Sequence, residues 1–335
     1  MNNKVYPVTL ILIILLVFGF LYALSLGSVE ISYSAIVNIV SSRLGFTELT
    51  ASRTETVIIE RIRLPRNIMA LLVGATLATA GISMQGLFQN PLVSPYLLGI
   101  SASASLGSVL AFTLGFSPSY YGLFAFILSM ITAAIIYYFS KVNQRSSVTL
   151  LILLGIGLGA LYSAISSFLI YYIGEDSFQV IVWLMGYLGD ATWERIIYAT
   201  PPIVMGIIIL NCFGAELNIF MSGEEEAKYL GVNVERTKKI ILGISTFIVS
   251  ISVAYGGLIS FVGLVIPHIL RILVGNNHKI LLPLSTLAGA LFLLTADTVA
   301  RTVISPVEIP IGVITSFIGG PFFIYLIIRR RAKIR

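Results

Sequence analysis

Apolar residues in this chain fall in long unbroken blocks, not in strict alternation or one-sided stripes. The blocks occupy residues 7–26, 67–84, 95–114, 120–140, 148–173, 196–213, 240–256, 260–274, 280–300 and 309–328. An α-helix rises 1.5 Å per residue, so about 20 apolar residues cross a hydrocarbon layer of about 30 Å. Ten membrane spans is therefore the predicted count, and residues 179–189 are too short to be an eleventh. The first block exceeds the apolar core of about 7–15 residues found in a signal peptide, so it reads as a retained helix. Two polar intervals interrupt the series. Residues 27–66 hold a short amphipathic pattern around 34–44, and residues 214–239 form a long loop between later spans.

Composition turns this pattern into a class. Of 335 residues, 57% are hydrophobic and 11% charged, whereas a soluble domain carries about 25% charge. The mean hydropathy is +0.97. Too little charge is present to cover a water-facing surface, and the fold class is an all-α integral membrane protein forming a single transmembrane domain over residues 1–335. The net charge of +6 then belongs to basic loops and does not point to nucleic acid. A single cysteine, Cys212, excludes an intrachain disulfide or a cysteine metal cluster. Two histidines, His268 and His278, leave little for a metalloenzyme. No metal site is predicted.

An even number of spans puts both termini on one side, and the tail "RRRAKIR" marks that side as cytoplasmic. Fourteen of the 21 lysines and arginines then lie inside, and seven lie outside. The outer group includes Arg53, Arg61, Arg63 and Arg66 on one short segment, followed by Arg195 and Arg301. A lone arginine beside a span can anchor to headgroups. Four on one segment favour an acidic partner.

Several local patterns carry more detail. "FQNPLVSPYLLGIS" joins the second and third spans with two helix-breaking prolines. "SFVGLVIPHILRILVG" sets His268 and Arg271 on one helix face, read as a structural pair at the helix end. Asp297 and Arg301 stand four residues apart, the spacing of a helical ion pair. In "MSGEEEAKYLGVNVERTKK", Ser222 and Glu225 have capping-box spacing, Gly231 ends a short helix, and a second helix begins near Asn233. Such punctuation suggests two short helices across the inner surface, a docking element for a cytoplasmic protein. No G-x-x-x-x-G-K-[ST] segment occurs, so ATP phosphates are not cradled here by that route. Carboxylates within spans are scarce, which argues against an ion-coupled secondary transporter. The energy source is expected on another subunit.

Taken together, "RLPR", "GATLATAGISMQGLFQNPLVSPYLLGIS", "YLGV", "GGLISFVGLVIPHILR", "LLPLSTLAGALFLLTADTVAR" and "EIPIGVITSFIGGPFFIYLI" resemble the FecCD family, the membrane subunits of ABC importers for iron–siderophore complexes, haem and vitamin B12. The pieces occur in the family's order over most of the chain. The resemblance implies a type II ABC importer permease fold with ten helices per subunit, a homodimer with a pathway at its two-fold axis, and an inner-membrane location. It implies two ATPase subunits that use ATP and magnesium, a substrate-binding protein outside, and no cofactor on this chain. It places binding-protein docking on Arg63, Arg66 and Arg301. The coupling loop, about 214–239, would meet the ATPase through Ser222, Glu225, Tyr229, Leu230, Gly231 and Val232. Ser146, Ser147 and Thr149 would form a gate, and Gly155 and Gly159 would line the pathway or serve close helix packing. Cargo among iron–siderophore, haem, cobalamin and oxyanions such as molybdate is not separated by these residues.

Overall fold

A computed structural model of the protein describes residues 4–142, 145–146 and 148–334. Ten long helices match the ten predicted blocks: α1 (Val5–Ser25), α2 (Leu64–Leu87), α3 (Ile100–Thr113), α4 (Tyr121–Phe139), α5 (Val148–Ile173), α6 (Trp193–Cys212), α7 (Val234–Gly256), α8 (Val262–Val274), α9 (His278–Thr302) and α10 (Ile311–Ile334). Among the described residues, seven segments are long and apolar enough to cross a membrane, and α3, α8 and the first part of α10 are shorter apolar helices. The 179–189 block yields only the seven-residue helix Phe178–Leu184, as its length predicts. Apart from a two-residue hairpin pairing Lys141–Val142 with Arg145–Ser146, the described residues form helices and turns.

Local chemistry sets several boundaries. The predicted third span loses its first turns because Pro95–Leu98 forms a tight 3-10 turn and Gly99 takes a left-handed φ of 71°, which glycine adopts without a Cβ clash. Before α2, Ser32 caps the helix Tyr33–Arg43, close to the predicted amphipathic stretch. Ser52 and Glu55 then form a full capping box on Arg53–Val57. A π-helical turn, Ile58–Arg63, leads without a break into α2, and Pro65 sits in the first turn of α2, where its missing N–H costs nothing.

Helix α2 is the axis of the subunit. It packs against α6, α7, α8 and α9, and nearly all its side chains are buried. In lipid, helices gain little by hiding apolar surface from one another, so close backbone contact and interhelical hydrogen bonds hold them. Small residues make that contact possible. A Cβ on Gly74 would stand 2.2 Å from the Gly289 carbonyl of α9, and one on Gly81 would stand 2.1 Å from the Gly263 carbonyl of α8. Between these crossings the Thr79 and Thr286 hydroxyls lie 2.7 Å apart, and Gln85 Nε2 donates to the Gly263 carbonyl at 2.9 Å.

Gly74→Val is expected to prevent α2 and α9 from closing and to cost at least about 3 kcal/mol, above the usual range for overpacking because backbone is the obstacle. Gly243 on α7, where an added Cβ meets nothing within 4 Å, should tolerate Ala with a change of under about 1 kcal/mol. Thermal unfolding of the two variants in detergent checks this. Equal stability would show that the crossing is loose.

Candidate functional site

At the end of the bundle where α1 finishes and α2 begins, five charged side chains gather. Arg63 is 4%, Arg66 5% and Arg301 3% exposed. Arg66 reaches Asp297 of α9 at 3.0 Å and Glu308, in the segment before α10, at 2.9 Å. Its guanidinium also lies over the Tyr187 ring. Arg301 meets Asp297 at 3.7 Å, confirming the predicted i,i+4 pair, and donates to the Ala23 carbonyl and to Asn67 Oδ1. Arg63 donates to the carbonyls of Leu24, Ser25 and Val29. The last carbonyls of a helix lack intrahelical partners, and a cation suits the negative end of its dipole. Arg63 therefore closes the end of α1.

These are the three arginines expected to dock a binding protein, and in this geometry all three side chains are buried. Their guanidinium groups bond inside the subunit, and the Arg301 Nε is buried with no hydrogen-bond partner among the described residues. A short basic cluster looks the same in sequence whether it faces water or closes a polar core, and only Asp297, Glu308 and Asn67 decide between the two. Among the arginines of the same segment, Arg53 and Arg61 are exposed. Arg43 is bound by Glu60.

At the opposite end lies the loop of residues 214–239. Helix Gly214–Phe220 is followed by Glu224–Tyr229. The predicted cap is corrected here: Gly223, with φ 120°, occupies the cap position and Ser222 makes no side-chain cap bond. Three glutamates in the first turn still suit the positive helix end. The predicted stop at Gly231 is present. Gly231 takes a φ of 84°, its N–H donates to the Lys228 carbonyl, and the Val232 N–H donates to the Ala227 carbonyl, a Schellman arrangement. Asn233 then caps α7 through the Arg236 N–H. Lys238, almost fully buried, ties α7 to Glu224 at 2.7 Å, while Ala227 is buried beneath the loop helix. The result is a rigid loop whose tip, Tyr229 and Leu230, is 90% and 67% exposed.

The loop is anchored to the axis helices as well. Asn218 Oδ1 accepts from both the backbone N–H and Nδ1 of His278, at 2.7 and 3.1 Å. Because an amide oxygen only accepts, the proton of this contact sits on His278 Nδ1. Its Nε2 faces Gly86 of α2, where a Cβ would stand 2.7 Å away. At the predicted His268–Arg271 pair, each residue has a contact of its own. Arg271 donates to Gln85 Oε1 at 2.6 Å, and His268 meets the Phe322 ring edge-on.

The gate and pathway residues are spread more widely. Ser146 lies in the short hairpin, Ser147 is outside the described residues, and Thr149 is exposed at the start of α5. Gly155 and Gly159 face the turn at Gly99, with a Cβ on Gly99 standing 3.0 Å from the Gly155 carbonyl. Within the subunit both glycines pack closely on that turn. Leu153, Ile156 and Leu161 form the exposed side of α5. Sequence reading missed Gln85, Asn67, Asn218 and Glu308. The available signal was that Asn67 and Gln85 are uncharged polar groups at the two ends of an apolar block, where burial would demand partners.

These features together define a multi-pass membrane protein with a rigid loop surface at one end and a closed ionic cluster at the other. The FecCD transport family profile matches residues 15–329, and the chain belongs to that family of ABC importer permeases. It is 36% identical to the cobalamin import system permease protein BtuC of Halobacterium salinarum, over 93% of this chain and 87% of that one. It is 38% identical to the hemin transport system permease protein HmuU of Yersinia pestis, over 99% of both. A solved inward-facing conformation of a metal-chelate type ABC transporter superposes with a TM-score of 0.83 at 34% identity, covering 97% of this chain and 98% of that one.

Removing Asp297 leaves buried Arg301 without a carboxylate and Arg66 with Glu308 alone. Asp297→Ala is expected to cost about 3–5 kcal/mol, the usual result of breaking a buried ion pair from one side. Glu308→Gln should cost about 1 kcal/mol, because the Glu308 side chain is 29% exposed and water replaces part of the pair. Unfolding midpoints of both variants in the same detergent check the order. A reversed order would remove Asp297 from the centre of the cluster.

Proposed function

We propose that this chain is the permease half of an ATP-driven importer for a metal-chelate cargo, working as a homodimer in the inner membrane with the loop end and both termini in the cytoplasm. The observation that carries the reading is the exposed Tyr229–Leu230 tip, set on a loop locked by Lys238–Glu224 and Asn218–His278. An unpaired aromatic and leucine on a rigid support suit a pocket on a partner, because little side-chain entropy remains to be lost on docking. ATP hydrolysis belongs to that partner. Cobalamin and hemin, named for the two relatives, are both metal complexes of flat macrocycles, and the aligned structure is of the metal-chelate type; these support the cargo class. Asp297, a carboxylate buried in a span, is held by two arginines and is not free to cycle an ion, which speaks against a secondary transporter.

Tyr229→Ala with Leu230→Ala should weaken ATPase association by about 2 kcal/mol or more, roughly thirtyfold, and abolish uptake in proteoliposomes while the unfolding midpoint stays unchanged. Normal uptake by the double variant would sink the coupling role. On the opposite face, docking of an acidic binding protein falls to the exposed Arg53 and Arg61. Arg53→Glu with Arg61→Glu should slow binding-protein association at low salt, with the difference shrinking as salt screens the charges. Salt-independent, unchanged association would exclude these two arginines.

A further inference from the structure

At the arginine end, a cavity of about 320 Å³ opens between α4, α6 and α7, sharing no side chain with the ionic cluster. Its back is closed by the contact of Gly122 with α7, where a Cβ would stand 2.0 Å from the Ala254 carbonyl. Pro201 and Pro202 lie inside α6 and remove two N–H donors from its ladder, which loosens the helix wall beside the cavity. The volume suits a small polar headgroup and the first part of a chain.

The lip of this cavity is charged and unsaturated. Arg195 Nη1 stands 4.0 Å from Asp190 Oδ2, the outer limit of an ion pair, with the two side chains 31% and 60% exposed. Glu194 is exposed on the adjacent position of α6. The floor is apolar, with Leu123 and Phe126 on α4 and Pro202 on α6. From there exposed apolar side chains continue along both helices, Ile127 and Ile131 on α4 and Met205 and Ile208 on α6. In a membrane those faces meet acyl chains. Trp183 lines the cavity, and aromatic side chains of this kind favour the headgroup level.

One cation beside one lining carboxylate, with Glu194 on the next residue, above an apolar track open to the bilayer, matches an amphiphile carrying one phosphate and one ammonium. We propose that this cavity binds a zwitterionic phospholipid of the phosphatidylethanolamine class. Arg195 takes the phosphate, Asp190 and Glu194 take the ammonium, and one acyl chain follows the track past Leu123 and Pro202. An anionic headgroup without the amine meets the same arginine but is repelled by both carboxylates, so it binds less well. The existing Arg195–Asp190 contact is long enough for each partner to exchange the other for the headgroup at little cost.

The chain contains two tryptophans, so Trp193→Phe leaves Trp183 as the reporter, and Trp193 is exposed with one backbone acceptor at Glu60. This variant is placed in nanodiscs of phosphatidylglycerol with increasing dibrominated phosphatidylethanolamine. Saturable quenching of Trp183 at low mole fraction is expected. It should fall to the level seen with dibrominated phosphatidylglycerol when Arg195→Gln is added. Should that variant fail to assemble, Asp190→Asn, on an exposed side chain, is expected to shift the preference toward phosphatidylglycerol. Equal, saturable quenching by both brominated lipids, or quenching insensitive to Arg195 and Asp190, would overturn the proposal. Relief of quenching by dissolved glycerophosphoethanolamine would overturn it too, by assigning the cavity to a soluble zwitterion.

Discussion

Backbone contact between α2 and its neighbours is the constraint on which the rest of the subunit depends. Lipid tails are as apolar as leucine, so burying side chains gives these helices little reason to associate. What remains is dispersion at close range and hydrogen bonding without competition from water. Gly74 against Gly289 and Gly81 against Gly263 bring main chains into contact, and this approach aligns Thr79 with Thr286 and Gln85 with Gly263. A larger side chain at either glycine would separate the helices and break those polar contacts together.

The same helix pair joins the two ends of the molecule. α2 and α9 touch at Gly74–Gly289, are tied by Arg66–Asp297 at one end, and meet through Gly86 and His278 at the other. Three ties along helices of 24 and 25 residues make the pair a stiff unit. The loop of residues 214–239 is fastened to this unit by Asn218 and to α7 by Lys238. Tyr229 and Leu230 are thereby connected to the axis of the subunit through side-chain bonds of the loop. Beyond the axis, the N–H groups of Ile311 and Gly312 at the start of α10 donate to the carbonyls of Gly186 and Met185, so the turn after Phe178–Leu184 moves with α10.

The ionic cluster shows why charge inside such a protein has to be collective. Burying one guanidinium alone costs several kcal/mol, and a single carboxylate partner does not always recover that cost. Here Asp297 faces two arginines, Glu308 completes Arg66, and helix-end carbonyls satisfy Arg63. Four separate segments, the end of α1, the start of α2, the end of α9 and the approach to α10, are thereby held at one level of the bundle.

Much of the architecture was legible along the chain. The ten helices follow from the ten apolar blocks, and seven of the described segments reach the length and apolarity that crossing hydrocarbon requires. The stop at Gly231 and the start at Asn233 were equally readable, since caps and left-handed turns are decided by residues within one helical turn. The Asp297–Arg301 pair followed from spacing for the same reason. The fate of Arg63, Arg66 and Arg301 was not readable, nor were Arg271–Gln85 and His278–Asn218. Their partners lie between 34 and 278 residues away, apart from Asp297 and Thr298 for Arg301. A side chain's exposure depends on what packs over it, and no local pattern records that. The sequence by itself determined the helices, their ends and the membrane class, because those rest on short-range physics. Only the tertiary structure decided which charges meet water, because burial is a property of the assembled bundle.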